Sequence, residues 1–116
     1  MNARKTTAVL FAGVLGVASL ALAADKTPDG RTLFRENCKP CHQADSANGE
    51  YTPMTLIQDQ WERFFDEKYV PAHKDVADPG HDGKSVTEVI TPEMLKKIRK
   101  FAVDHAADSE HPMTCG

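Results

Sequence analysis

Five consecutive residues, Cys38-Lys39-Pro40-Cys41-His42, constrain this 116-residue chain more than any other feature. Two thiols stand three positions apart, and an imidazole follows the second at once. Three chemistries use that set: a redox dithiol, half of a zinc site, or two thioether bonds to a porphyrin whose metal takes the histidine. A redox dithiol belongs after a strand in a βαβ unit, and no alternating strand pattern occurs in the sequence. Zinc asks for a second close pair of ligands, whereas Cys115 is the one other cysteine.

The start of the chain favours the porphyrin. Arg4 and Lys5 precede an almost wholly apolar or small run from Thr7 to Leu22, and Ala21-Leu22-Ala23 offers a small-x-small cleavage site. The run is short for a spanning helix, which needs roughly 20 residues. We expect residues 1–23 to be a cleaved signal peptide and residues 24–116 to form one exported domain without stable membrane insertion. Export suits the motif, because bacteria attach haem covalently outside the cytoplasm, so the expected location is the bacterial periplasm. The 93 residues left by cleavage bury only a modest core of their own. A haem would add a large flat apolar surface to it. One motif means one covalent haem c.

Loss of Arg4 and Lys5 leaves 12 of the 14 basic residues against 17 acidic ones, a formal balance of −5. That argues against nucleic acid or an anionic membrane surface as partner. It fits plain solubility or docking on a basic protein.

Along the chain, residues 24–29 read as an irregular lead-in. A first helix is expected from about Gly30 to Asn37, with Leu33, Phe34 and Asn37 on one side. Residues 43–53 are rich in turn formers. A second helix is expected from Leu56 to Tyr69, with Ile57, Trp61, Phe64 and Phe65 along one face. Residues 71–84 hold two Pro and two Gly and read as loop, followed by a helical turn at Ser85–Val89. Thr91 is a natural N-cap with Pro92 behind it, for a last helix reaching Ala107. Leu95, Ile98, Phe101, Ala102 and His105 share its inner face. Asp108–Gly116 reads as a polar tail. The fold class expected is all-α.

The chain resembles the class I cytochromes c, over most of residues 24–116. Gly30, Phe34 and Cys38 match the Gly-x3-Phe-x3-Cys of that family's first helix, and Leu95, Ile98 and Phe101 resemble its partners on the last helix. The resemblance implies three to four helices wrapped around one covalently bound haem, with thioethers at Cys38 and Cys41 and the iron on His42. It implies that the Gly lets first and last helices pack closely, and that Pro53 offers its carbonyl to the proximal histidine. Trp61 resembles an indole that hydrogen-bonds a haem propionate, or it is ordinary core. Phe34, Pro53, Trp61, Phe65 and Leu95 are the side chains expected to pack on the haem.

The departure is the sixth iron ligand. The family usually supplies a Met from the loop before the last helix, yet no Met lies between Thr55 and Pro92. That loop holds His73 and His81 instead. His73 follows the aromatic helix and is the first candidate; His81, in an Asp-Pro-Gly-His-Asp-Gly turn, and Met113, in the tail, are alternatives. Met94, Met54 or an open site are further ones. His105 is expected to pack or face solvent, and His111 belongs to the tail. Cys115 is a free thiol, an intermolecular disulfide or a buried small residue.

The resemblance implies a monomeric electron carrier, not an enzyme, that exchanges one electron with redox partner proteins. Two histidine ligands would set a lower potential than His and Met. A haem enzyme or gas sensor with an open or displaceable sixth position is the alternative; a metal-binding module without haem is a more distant one.

Overall fold

The computed structural model describes residues 26–114 together with Gly13 and Gly16. The rest of the expected signal peptide, and Cys115, lie outside the described residues. Asp29 begins the first helix by accepting a hydrogen bond from Thr32 N at 2.7 Å. Helix α1 (Gly30–Asn37) then buries Leu33 and Phe34. A 3-10 turn at Pro53–Thr55 leads into α2 (Gln58–Arg63). A π-turn at Phe64–Lys68 joins α2 to α3 (Tyr69–His73). Short α4 (Val86–Val89) precedes α5 (Pro92–Asp104), which Thr91 caps by accepting from Met94 N. α2, the π-turn and α3 run on as one rod, so the described residues form four helical units with no strand beyond a single Ala77–Ser85 bridge. The fold is all-α.

α1 and α5 cross at Gly30. A Cβ there would stand 2.2 Å from Lys97 O and 2.8 Å from Phe101 Cβ, so no larger residue fits without moving backbone. The close approach brings Phe34 edge-on to Phe101, with ring centres 5.7 Å apart. Leu33, Ile98, Phe101, Ala102 and Ala106 fill the seam. Burying a side chain of the Leu or Phe class stabilises by roughly 1.5–3 kcal/mol. Arg99 on α5 bridges to Glu62 and Asp66 on the rod, which holds the two together on the solvent side.

Three expectations need correction. The second helix does not stop at Tyr69; it continues to His73 and takes in Pro71. Pro71 directly follows the π-turn, so its missing N–H falls where the rod departs from the α pattern. Ile57 is not on the buried face. It precedes α2 in extended conformation and is 41% exposed. The last helix ends at Asp104, not Ala107. The following residues turn back onto the rod: Ala107 N donates to Leu56 O, and Asp108 accepts from Gln58 N.

Candidate functional site

The end of α1 sets the position of the motif. Cys38 N donates to Phe34 O at 2.9 Å, and His42 N to Cys38 O at 3.0 Å, so the chain makes one more helix-like turn through the pentapeptide. Cys38, Cys41 and His42 thereby face a single cavity of about 340 Å³, within the size range of sites for small organic ligands. Both thiols are free and half-buried. Burial pushes the Cys38 thiol up to about 12, with the nearby Cys41 thiol adding to the shift.

The rod forms the opposite wall, with Trp61, Phe64, Phe65, Tyr69 and His73. Phe34, Ile90, Leu95 and Ile98 close it from α1, the chain before α5, and α5 itself. Tyr69 is buried, and its hydroxyl has no partner among the described residues. Buried hydroxyls are nearly always bonded, so this orphan asks for an occupant of the cavity. Burial, then the neighbouring Cys38 thiol, pushes the Tyr69 phenol up to about 12.

Two histidines face each other across this space. His42 Nδ1 lies 3.1 Å from Gly49 O, and His73 Nδ1 lies 2.7 Å from Tyr69 O. A carbonyl only accepts, so each Nδ1 carries the proton and each Nε2 keeps a free lone pair. Such a bond also fixes the ring and raises its basicity as a ligand. The ring centres are 6.2 Å apart at an interplanar angle of 73°. Two imidazoles on opposite sides of one metal, each bonded at about 2 Å, stand about 6 Å apart centre to centre. Among the described residues no group of three or more His, Cys, Asp or Glu side chains forms a metal cage. A flat apolar metal complex, reached by two thiols at its edge and an imidazole on each face, fits what is there.

Several residues expected at the site lie elsewhere. Pro53 is fully buried but does not line the cavity, and its carbonyl does not meet His42. It accepts instead from Trp61 Nε1 at 2.9 Å. Gly49 takes its place because a positive φ of 83° turns that carbonyl toward His42, while Tyr51 N donates to His42 O and closes the loop. The Trp61 indole N–H is therefore engaged within the protein, and Trp61 is core at 2% exposure that also walls the cavity. His81 does not reach the cavity; its ring pairs with Asp78 at 3.1 Å in an exposed turn. Met113 folds back, as a ligand would have to, but packs on the core beside His105, whose carbonyl accepts from Met113 N. Met94 packs on the core as well, and Met54 is exposed. Phe34, Trp61, Phe65, Leu95 and His73 are all lining residues. Tyr69 and Gly49 were not among the residues expected at the site. Tyr69 follows Phe65 by four positions, a helical spacing that would have flagged it.

Among known proteins, the family model described as cytochrome c matches residues 28–113. The chain is also 28% identical over 84 residues to the ATP-dependent Clp protease adapter protein ClpS of Salmonella arizonae, across 71% of this chain and 79% of that protein. It is 28% identical over 83 residues to the protein of that name from Erwinia tasmaniensis, across 70% and 78%. The thiols and histidines around the cavity answer to the family match. No solved structure matches the chain.

Proposed function

The chain belongs to the cytochrome c family, whose cofactor is covalent haem c and whose chemistry is haem-based electron transfer, and on that footing we propose that it is an exported one-electron carrier with two histidine ligands. Cys38 and Cys41 would add their S–H bonds across the two vinyl groups at one haem edge. His42 and His73 would hold its iron. The observation that carries this is the pair of imidazoles 6.2 Å apart, each with Nδ1 bonded to a backbone carbonyl and Nε2 left to bind metal.

When bound, the haem supplies a one-electron ferrous–ferric couple. The protein's part is to hold still. Two covalent links and two backbone-anchored imidazoles would hold the group fixed. Trp61, Phe65, Tyr69 and Leu95 keep water from the faces of the group. The half-buried motif at Cys38–His42 leaves one edge near solvent, where a redox partner can approach. Ligation by two histidines favours a low potential, which suits an anaerobic respiratory chain.

Residues 1–23 would direct export and be removed, and the mature protein would be a periplasmic monomer. No described helix is long and apolar enough to cross a membrane. The test is expression in a host able to ligate haem outside its cytoplasm. The mature protein should start at Ala24, gain the mass of one haem, and give a pyridine haemochrome of the two-thioether type. A colourless exported chain would overturn the proposal. A ferrous form that is high-spin and binds carbon monoxide at once would favour a haem enzyme or gas sensor.

A further inference from the structure

Simple helix geometry would not bring His73 to the cavity. Phe64 N–H donates to Gln60 O and Lys74 N–H to Val70 O, the four-residue spacing of an α-helix. Between them Tyr69 N–H donates to Phe64 O, five residues back. The rod is therefore α, then π, then α, and holds one residue more than an unbroken α-helix between the same ends.

That residue changes which way the second half faces. An α-helix turns about 100° per residue. In an unbroken helix Tyr69 would stand about 80°, and His73 about 120°, around the axis from Trp61. Absorbing one residue takes about 100° from each and brings both to within about 20° of Trp61. Trp61, Tyr69 and His73 accordingly share the cavity wall. The surplus length is carried outside, where Asp66, Glu67 and Lys68 are exposed. Pro71 gives the turn a local cause. It has no N–H to offer Glu67 O, and its ring would crowd that carbonyl in a regular helix.

We propose that the π-turn Phe64–Lys68 is a register device that turns Tyr69 and His73 onto the face set by Trp61. Whether this turn absorbs its surplus residue, and not the presence of a histidine alone, then decides whether the protein fills the sixth position or leaves it open to a small ligand. The inference rests on His73 as the distal ligand.

The test uses the full chain loaded with haem. Deleting Glu67, which is exposed and makes no ion pair among the described residues, removes the surplus residue, so a rod closed to α keeps His73 at about 20° from Trp61. Inserting one Ala after Ala72, with Glu67 kept, leaves the turn intact and moves His73 on by about 100°. The deletion should therefore keep the low-spin six-coordinate ferrous spectrum, and the insertion should convert it into a high-spin one that binds carbon monoxide immediately. If His73→Ala keeps the parent spectrum, the ligand assignment fails. If His73→Ala opens the site but deletion of Glu67 opens it too, the assignment stands and the register device is overturned. Should the insertion yield no haem protein, the deletion decides: a low-spin spectrum supports the device and a high-spin one refutes it.

Discussion

His42 and His73 stand with their ring centres 6.2 Å apart, on opposite sides of one apolar cavity. Each is anchored through Nδ1 to a backbone carbonyl, Gly49 for one and Tyr69 for the other. The anchoring leaves both Nε2 atoms available, and its consequence is redox tuning. Replacing His73 by Met should raise the midpoint potential by on the order of a tenth or more of the roughly 0.8 V that axial ligation spans. Protein-film voltammetry measures this directly. An unchanged potential in a variant that still loads haem would mean that residue 73 is not on the iron.

The α1–α5 crossing has no room for a methyl group. Gly30→Ala would set its Cβ against Lys97 O and the Cβ of Phe101, neither of which is a flexible end that can swing aside. Overpacking of this kind costs about 1–3 kcal/mol. Urea unfolding of the haem-loaded variant should show a lower midpoint with little change in slope. Full retention of stability would mean the helices separate at no cost.

Trp61 holds the buried Pro53 carbonyl through its indole N–H. Trp61→Phe keeps an aromatic wall but leaves that acceptor unpaired, a loss of about 1–3 kcal/mol. For a domain of this size each kcal/mol lowers Tm by roughly 4–8 °C. Calorimetry should find the drop while the low-spin spectrum persists.

Arg99 joins α5 to the rod through Glu62 and Asp66. The hydrogen bond from Arg99 holds the Asp66 carboxyl below its ordinary range. A folded-state value below the unfolded one of about 3.9 means the contribution is fully present above about pH 4 and fades as pH falls through the lowered value. Asp66→Asn should therefore be less stable than the parent at pH 7, with the difference shrinking toward zero as pH falls through the lowered value. The effect is modest, because the pair is exposed and screened. A gap that stays constant across that range would contradict the pairing.

Much of this was legible in the residues themselves. The motif, the Gly30–Phe34–Cys38 spacing and the Thr91-Pro92 start of α5 are local signals, and they stand where local chemistry puts them. His73 could be singled out because the loop before α5 has no methionine. What stayed hidden depends on distance in space. The carbonyl that His42 finds belongs to Gly49, since a left-handed backbone at one residue turns it inward, and composition does not mark which loop glycine does so. Pro71 read as a loop signal, although a proline in the first turn after a π-turn sits within a helix. Ile57 matched the apolar period, yet it lies one residue outside the helix that the period describes.

The most direct test of the two-histidine cavity is the near-infrared absorption spectrum of the oxidised, haem-loaded protein. The account predicts a low-spin ferric spectrum without the weak sulfur-to-iron charge-transfer band of methionine ligation, and loss of that low-spin state in His73→Ala. A clear sulfur-to-iron band would place Met113, Met94 or Met54 on the metal and contradict it.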